Sequence, residues 1–305
     1  MPFNIDTFGL QNMHYWLLIL SILSLWFTPF PRSWAILFSL SLLTGLVNGG
    51  ISFAGAGVII AFGFSCYLLG GGILNLATIN NGAVRKKLLV KTTIHLCFLT
   101  LGTIIATGIV PGIDNLRLVD NIAFHNNAPA TAISLHYNVA VIGLLYFAFC
   151  VERIKSASEW LVMIKQTLPI AALTVAIIMT MGVILGLLAF DPVVTPLFLP
   201  FLISNLLIVC LAEEAIFRGW LQGGLTKLLN TRKHAAYIAL LITALVFGIA
   251  HAKGGPWLIL AAGLAGLGYG YARLKTGRIE AAMLTHFSLN GFHFVFMTYP
   301  FLNQS

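Results

Sequence analysis

Phe201-Leu-Ile-Ser-Asn-Leu-Leu-Ile-Val-Cys-Leu-Ala-Glu213-Glu214-Ala-Ile-Phe-Arg218-Gly-Trp220 decides how this chain is to be read. Apolar residues dominate up to Glu213 and resume after it in Ala215, Ile216, Phe217, Trp220 and Leu221. A run of this kind is what a helix needs to cross hydrocarbon, about 20 residues at a rise of about 1.5 Å each. The same character extends outward in both directions. Of 305 residues, 59% are hydrophobic and 9% charged, against about 25% charged in an ordinary soluble domain. With a mean hydropathy of +0.94, the chain lacks the charge to build a water-facing surface and expects lipid around it. Lipid admits only helices and closed barrels. A barrel strand alternates in and out, whereas these apolar runs are long, so the expected fold is an all-α polytopic transmembrane helical bundle.

Ten candidate helices follow, roughly 13–30, 33–48, 51–70, 92–110, 132–150, 168–190, 197–218, 236–252, 257–274 and 279–299. About 8–10 of them are expected to cross, because the second and third are joined only by Asn48-Gly49-Gly50. The run from Met13 follows twelve residues without Lys or Arg and leads to no small-x-small site, so it is read as a retained helix and not a signal peptide. There are 17 Lys and Arg against 9 acidic residues, gathered in clusters at the ends of apolar runs. That distribution orients a membrane protein and does not build a nucleic-acid face. With the N-terminus outside, fourteen of the 17 cations fall on the cytoplasmic side: Arg32, Arg85, Lys86, Lys87, Lys91, Arg153, Lys155, Lys165, Lys227, Arg232, Lys233, Arg273, Lys275 and Arg278. Arg117 and Lys253 fall outside, and Arg218 lies within a span. The connection 112–130, with Asp114, Asp120 and His125-Asn126-Asn127, is expected to be either a lid or a disordered connector. Gly70-Gly71-Gly72 and Gly263, Gly266, Gly268 and Gly270 suit close helix packing. Cys66, Cys97, Cys150 and Cys210 read as small buried hydrophobes without metal-ligand spacing.

Ionisable residues divide the chain into 1–190, N-terminal transmembrane helices without one deep in a span, and 191–305, a core that holds several. A charge at mid-bilayer costs a few kcal/mol or more and marks function by default. Glu214 and Arg218 stand four apart, so a helix puts them on one face as a charge-assisted pair. Glu213 is turned about 100° away. One carboxylate is thereby neutralised while its neighbour remains for general-base work. His251 lies in the apolar run Leu245-Val-Phe-Gly-Ile-Ala-His251, and His286 and Asn290 share a face of the last helix. Two His, a Glu and an Asn on neighbouring helices supply a base, proton carriers and an amide donor, a set that fits attack of water on a carbonyl. Depth agrees only in part: Glu213 and His286 come out about 10–13 Å from their cytoplasmic ends, and His251 nearer about 20 Å.

Glu213-Glu214-x-x-x-Arg218, Phe247-x-x-x-His251 and His286-x-x-x-Asn290 resemble, in order and spacing, the three motifs of the CPBP family of intramembrane proteases. This is the CAAX protease and bacteriocin-processing family, also called Abi. The resemblance covers about residues 195–300. It implies an intramembrane endopeptidase, glutamic or metallo in type, acting on a membrane-anchored protein or peptide. By it, Glu213 with His251 activates water, His286 and Asn290 hold the oxyanion, and Glu214 with Arg218 supports the first motif. No cofactor is expected; zinc on Glu213, His251 and His286 is the alternative, although no His-Glu-x-x-His helix is present. The expected place is the bacterial plasma membrane, with a cavity on the cytoplasmic side, the lipid bilayer and a protein substrate as partners, and no nucleic acid. Two other classes compete. One is a scaffold or regulator that keeps the fold without cleaving. The other is a proton-coupled transporter, which calls for inverted repeats and broken helices in both halves, whereas the polar residues here lie at one end.

The cation segregation fixes which face each loop meets. Cysteines introduced at Thr226 and Asn81 should react only with reagents that reach the cytoplasm, and one at Asn126 with an impermeant reagent from outside. External labelling at Thr226 would reverse the orientation.

Overall fold

Helices form along all ten apolar runs. The computed structural model describes residues 9–28, 30–71, 84–109, 111–125 and 127–303; Gly72, Asn81, Asn126 and the side chains of Arg85, Lys86 and Lys87 lie outside the described residues. The helices are α1 (Met13–Phe27), α2 (Ser33–Val47), α3 (Phe53–Leu69), α4 (Val84–Thr107), α5 (Tyr137–Cys150), α6 (Ala157–Ile184), α7 (Phe198–Leu228), α8 (Ala235–Ala250), α9 (Gly255–Thr276) and α10 (Ile279–Phe296). By length and composition, four described helices can cross a bilayer: Leu10–Phe27, Leu88–Thr107, α6 and α7. The pair α8 and α9, whose axes meet at 54°, makes a fifth if counted as one span, and α2, α3 and α5 are shorter apolar helices. α10 has 18 residues but carries Glu280, Thr285, His286, Asn290 and His293, and its polarity keeps it out of that group.

Local chemistry sets the boundaries. α6 begins at Ala157, well before the expected residue 168, because Ser156 caps it. The Ser156 hydroxyl accepts from the Glu159 N–H at 3.2 Å and donates to its carboxylate at 3.2 Å. α9 opens with Pro256 in its first turn and ends at Gly277, whose φ of 71° is the left-handed conformation that glycine adopts freely.

The connection 112–130 is not a disordered connector. Leu116–Ile122 (β1) pairs with Thr131–Leu135 (β2) in a two-stranded sheet. The second strand alternates, burying Ile133 and Leu135, and the Ser204 hydroxyl on α7 donates to the Ser134 carbonyl at 2.6 Å. The helix expected from residue 132 therefore starts only at Tyr137.

The chain forms two compact units. Residues 4–116 and 135–152 make one, containing α1–α5. Its core is aromatic: Phe62 stacks on Phe98 at 5.3 Å, Tyr146 lies against Phe98, and Trp26 meets Phe147 edge-on. The Ser41 hydroxyl bridges the His14 carbonyl and the Tyr137 hydroxyl at 2.6 and 2.8 Å.

Residues 117–134 and 153–305 belong to the other unit, which contains α6–α10. Ile178 and Met179 of α6 pack with Phe247 of α8, Ala262, Ala265 and Tyr269 of α9, and Ala282 and Leu289 of α10. α9 runs back along α8. Gly263 faces Gly248, Gly266 faces Ala244 and Phe247, and Gly270 faces Leu240. Of the glycines named from the sequence, Gly70, Gly263, Gly266, Gly268 and Gly270 thus serve close packing, whereas Gly71 meets nothing within 4 Å. After α10 the chain pairs with the stretch that follows α6, through Val193 N–H to Val295 O at 2.8 Å and Thr298 N–H to Ala189 O at 2.9 Å.

A Cβ added at Gly248 would sit 2.6 Å from the Ile259 carbonyl oxygen, backbone that cannot swing aside, whereas one at Gly224 meets nothing within 4 Å. Gly248→Ala should cost about 1–3 kcal/mol and lower the thermal unfolding temperature in detergent. Gly224→Ala should leave it unchanged or raise it, since alanine is the better helix former. Equal behaviour of the two variants would refute close α8–α9 packing.

Candidate active site

The site grows from an irregularity in α7. Asn205–Cys210 and Ala215–Gln222 are wound as π-helix, on either side of the α turn Leu211–Glu214. Extended π winding is rare and gathers at functional sites. Its consequence here is a change of register, which brings residues five apart together. Cys210 Sγ donates to Asn205 Oδ1 at 3.3 Å.

Glu214 and Arg218 form the pair that their spacing predicts, with neither side chain exposed. Arg218 Nη1 donates to Glu214 Oε1 at 3.3 Å. The Nε–Oε2 approach of 3.1 Å is a charge contact off the hydrogen-bond direction, so Nε and Oε2 form no hydrogen bond with each other. The remaining face of the guanidinium is also occupied. Nη2 donates to the Gly266 carbonyl at 3.0 Å, and the cation lies 4.4 Å from the Phe247 ring centre and 5.2 Å from that of Tyr269. Gly266 is required at this point, because a Cβ would come within 3.2 Å of Arg218 Nη2 and of Phe247.

Glu214 has a second partner that its spacing does not announce. His286 Nδ1 lies 2.8 Å from Glu214 Oε1. Arginine keeps its charge, so the paired Glu214 is the carboxylate and accepts; Nδ1 therefore carries the proton, and Nε2 is the nitrogen left over. The ring is fixed by stacking on Tyr269, 4.4 Å between centroids at 15°, with Phe247 edge-on at 6.0 Å.

Glu213, the neighbouring acid, is treated differently. Its Oε2 is buried and has no hydrogen-bond partner among the described residues. His251 is not inside a helix as expected. It is the C-terminal cap of α8, followed by the short 3-10 turn Ala252–Gly254. Its Nδ1 bonds the Phe247 carbonyl at 2.8 Å and its ring lies 4.7 Å from that of Phe247. Asn290 Nδ2 donates to Asn205 Oδ1 at 3.1 Å. Of the six residues singled out, then, Glu214, Arg218 and His286 are bonded to one another. Glu213 adjoins them, Asn290 reaches back to α7, and His251 joins through Phe247.

Sequence reasoning missed Asn205, Tyr269 and the contribution of Cys210. Asn205 had a usable signal, a polar side chain in the same apolar run as Glu213. Tyr269 had none, standing among glycines read for packing alone.

The zinc alternative would draw on Glu213, His251 and His286. Among the described residues no three His, Cys, Asp or Glu side chains are grouped as metal ligands. The Nδ1 atoms of His251 and His286 are engaged by protein, so Nε2 is the nitrogen that each ring would offer a metal.

Residues 195–292 match the family described as type II CAAX prenyl endopeptidase Rce1-like. No individual curated protein and no solved structure matches the chain. All three motifs fall inside the matched segment, and its helices hold the buried cluster just described. Over residues 195–292 the chain is similar to the CAAX protease (CPBP) family.

Proposed function

We propose that the chain is a CAAX-type intramembrane endopeptidase, one that hydrolyses a peptide bond in a membrane-associated protein with water activated by Glu213. The observation that carries this reading is the contrast between adjacent carboxylates. Glu214 is neutralised by Arg218 and His286, although its Oε2 accepts no hydrogen bond, while Glu213 keeps a buried oxygen without a hydrogen-bond partner and has no such cation paired to it among the described residues. A carboxylate left this way in a low-dielectric site suits a general base.

In this mechanism the Glu213 carboxylate takes a proton as the water oxygen attacks the scissile carbonyl, and His251 shares in activating that water, the role the motif resemblance gives it. The carbonyl oxygen becomes an oxyanion, held by the Asn290 amide and by Nε2–H of His286 in its imidazolium form, whose charge the Glu214 carboxylate offsets at Nδ1. The C–N bond then breaks, and the proton passes to the departing amine, leaving a new carboxyl and a new amino terminus. Glu214 and Arg218 orient His286 through its Nδ1 proton, as a buried carboxylate orients the histidine of a hydrolytic triad. On this reading the cavity opens on the cytoplasmic side of a bacterial plasma membrane, an orientation that the loop cations favour, with a cytoplasmic tail or the inner end of a transmembrane helix as substrate. A thiol mechanism has one observation in its favour, since Cys210 adjoins His286. Against it, Cys210 is fully buried and its S–H is directed at Asn205.

Glu213→Gln is nearly isosteric and should abolish cleavage while leaving folded yield unchanged. Comparing the membrane proteomes of wild type and this variant should reveal a peptide bond cut only by wild type. Identical peptide termini in the two would leave the scaffold as the surviving explanation.

Arg218→Ala acts through stability. It strands Glu214, and an unmatched buried charge costs roughly 3–5 kcal/mol, so folded yield should fall along with activity. Glu214→Gln combined with Arg218→Met should restore part of that yield. A double variant no better than Arg218→Ala would contradict the pair's structural role.

A further inference from the structure

We propose that Asn205 is the positioning residue of the oxyanion site, an assignment that rests on the endopeptidase reading above. Asn205 lies outside all three motifs. Its Oδ1 accepts two hydrogen bonds, from Asn290 Nδ2 at 3.1 Å and from Cys210 Sγ at 3.3 Å. An amide oxygen has two lone pairs, so both are used. With Asn290 as placed, turning the Asn205 amide over would set its NH2 group against that of Asn290.

The consequence falls on Asn290. One of its two amide hydrogens is committed to Asn205, and because an amide is planar, that bond fixes the direction of the other. A donor stabilises an oxyanion well only when it is aimed beforehand, since reorienting it during reaction consumes the gain. Asn290 stands one helical turn beyond His286 on α10. The Asn205 bond thus ties the amide on α10 to α7, the helix that carries Glu213, so base and oxyanion donor are held to the same element. The π winding over Asn205–Cys210 acquires a purpose. In an α-helix a residue five ahead is rotated about 140° away, and Cys210 could not fill the second lone pair of Asn205.

Interhelical hydrogen bonds in membranes also serve as plain glue, so the test must separate positioning from adhesion. Turnover is measured with purified full-length protein and a fluorogenic peptide spanning the bond that only wild type cuts in cell membranes. Asn205→Ala should lower kcat on the order of 10-fold or more with KM little changed. In an Asn290→Ala background the same substitution should have no further effect, because Asn205 acts only through Asn290. Losses that multiply in the double variant, or an Asn205→Ala enzyme with wild-type kcat, would overturn the assignment. If Asn205→Ala does not accumulate folded, Asn205→Asp decides, since it keeps an acceptor for the Asn290 N–H. Retained turnover supports positioning, and a loss equal to that of Asn290→Ala contradicts it. Where wild type cuts no bond that Glu213→Gln spares, the endopeptidase reading itself fails; where it does and the Asn205 results go the other way, only this assignment falls.

Discussion

A guanidinium without exposed surface, inside a protein that sits in lipid, needs partners drawn from the protein itself. Arg218 is matched by the Glu214 carboxylate, the Gly266 carbonyl and the faces of Phe247 and Tyr269. Those partners come from α7, α8 and α9, and Glu214 adds α10 by accepting from His286. The four helices of the site thus converge on one cation. Removing water makes such a pair expensive to break and adds little to net stability when it is intact. What the pair contributes is placement: it holds the polar faces of four helices in one register.

Placement explains why the surroundings are built from extremes of size. Gly248, Gly263, Gly266 and Gly270 bring α8 and α9 close enough for the Gly266 carbonyl to reach Arg218. Phe217, Phe247 and Tyr269 fill the remaining space and give the cation and the His286 ring flat surfaces to rest on. Phe247 touches Arg218, His251 and His286 at once. The phenylalanine of the second motif is therefore the packing hub of the site.

The parts of this arrangement that were legible in the sequence depend on regular geometry. Hydropathy runs marked all ten helices, and the four-residue spacing of Glu214 and Arg218 predicted their pair. The rest depends on departures from regularity. π winding leaves no periodic trace, so the meeting of Asn205 with Cys210 was invisible, and with it the hold of Asn205 on Asn290. His286 reaches Glu214 across 72 residues of chain, a contact that spacing cannot announce. Two misplacements were avoidable: Gly254-Gly255-Pro256, beginning three residues after His251, marks a helix end, and Ser156-x-x-Glu159 marks a helix start. The β1–β2 sheet was obscured because Thr131–Leu135 runs almost directly into α5.

The central claim is that water, not a protein nucleophile, attacks the substrate carbonyl from beside Glu213. Cleavage in H2(18)O with hydroxylamine present measures this directly, because a covalent acyl-enzyme would partition to hydroxylamine. The account predicts products whose new C-terminal carboxyl carries 18O, no hydroxamate and no acylated protein by intact mass. A hydroxamate product, or an acyl adduct on Cys210, would contradict it.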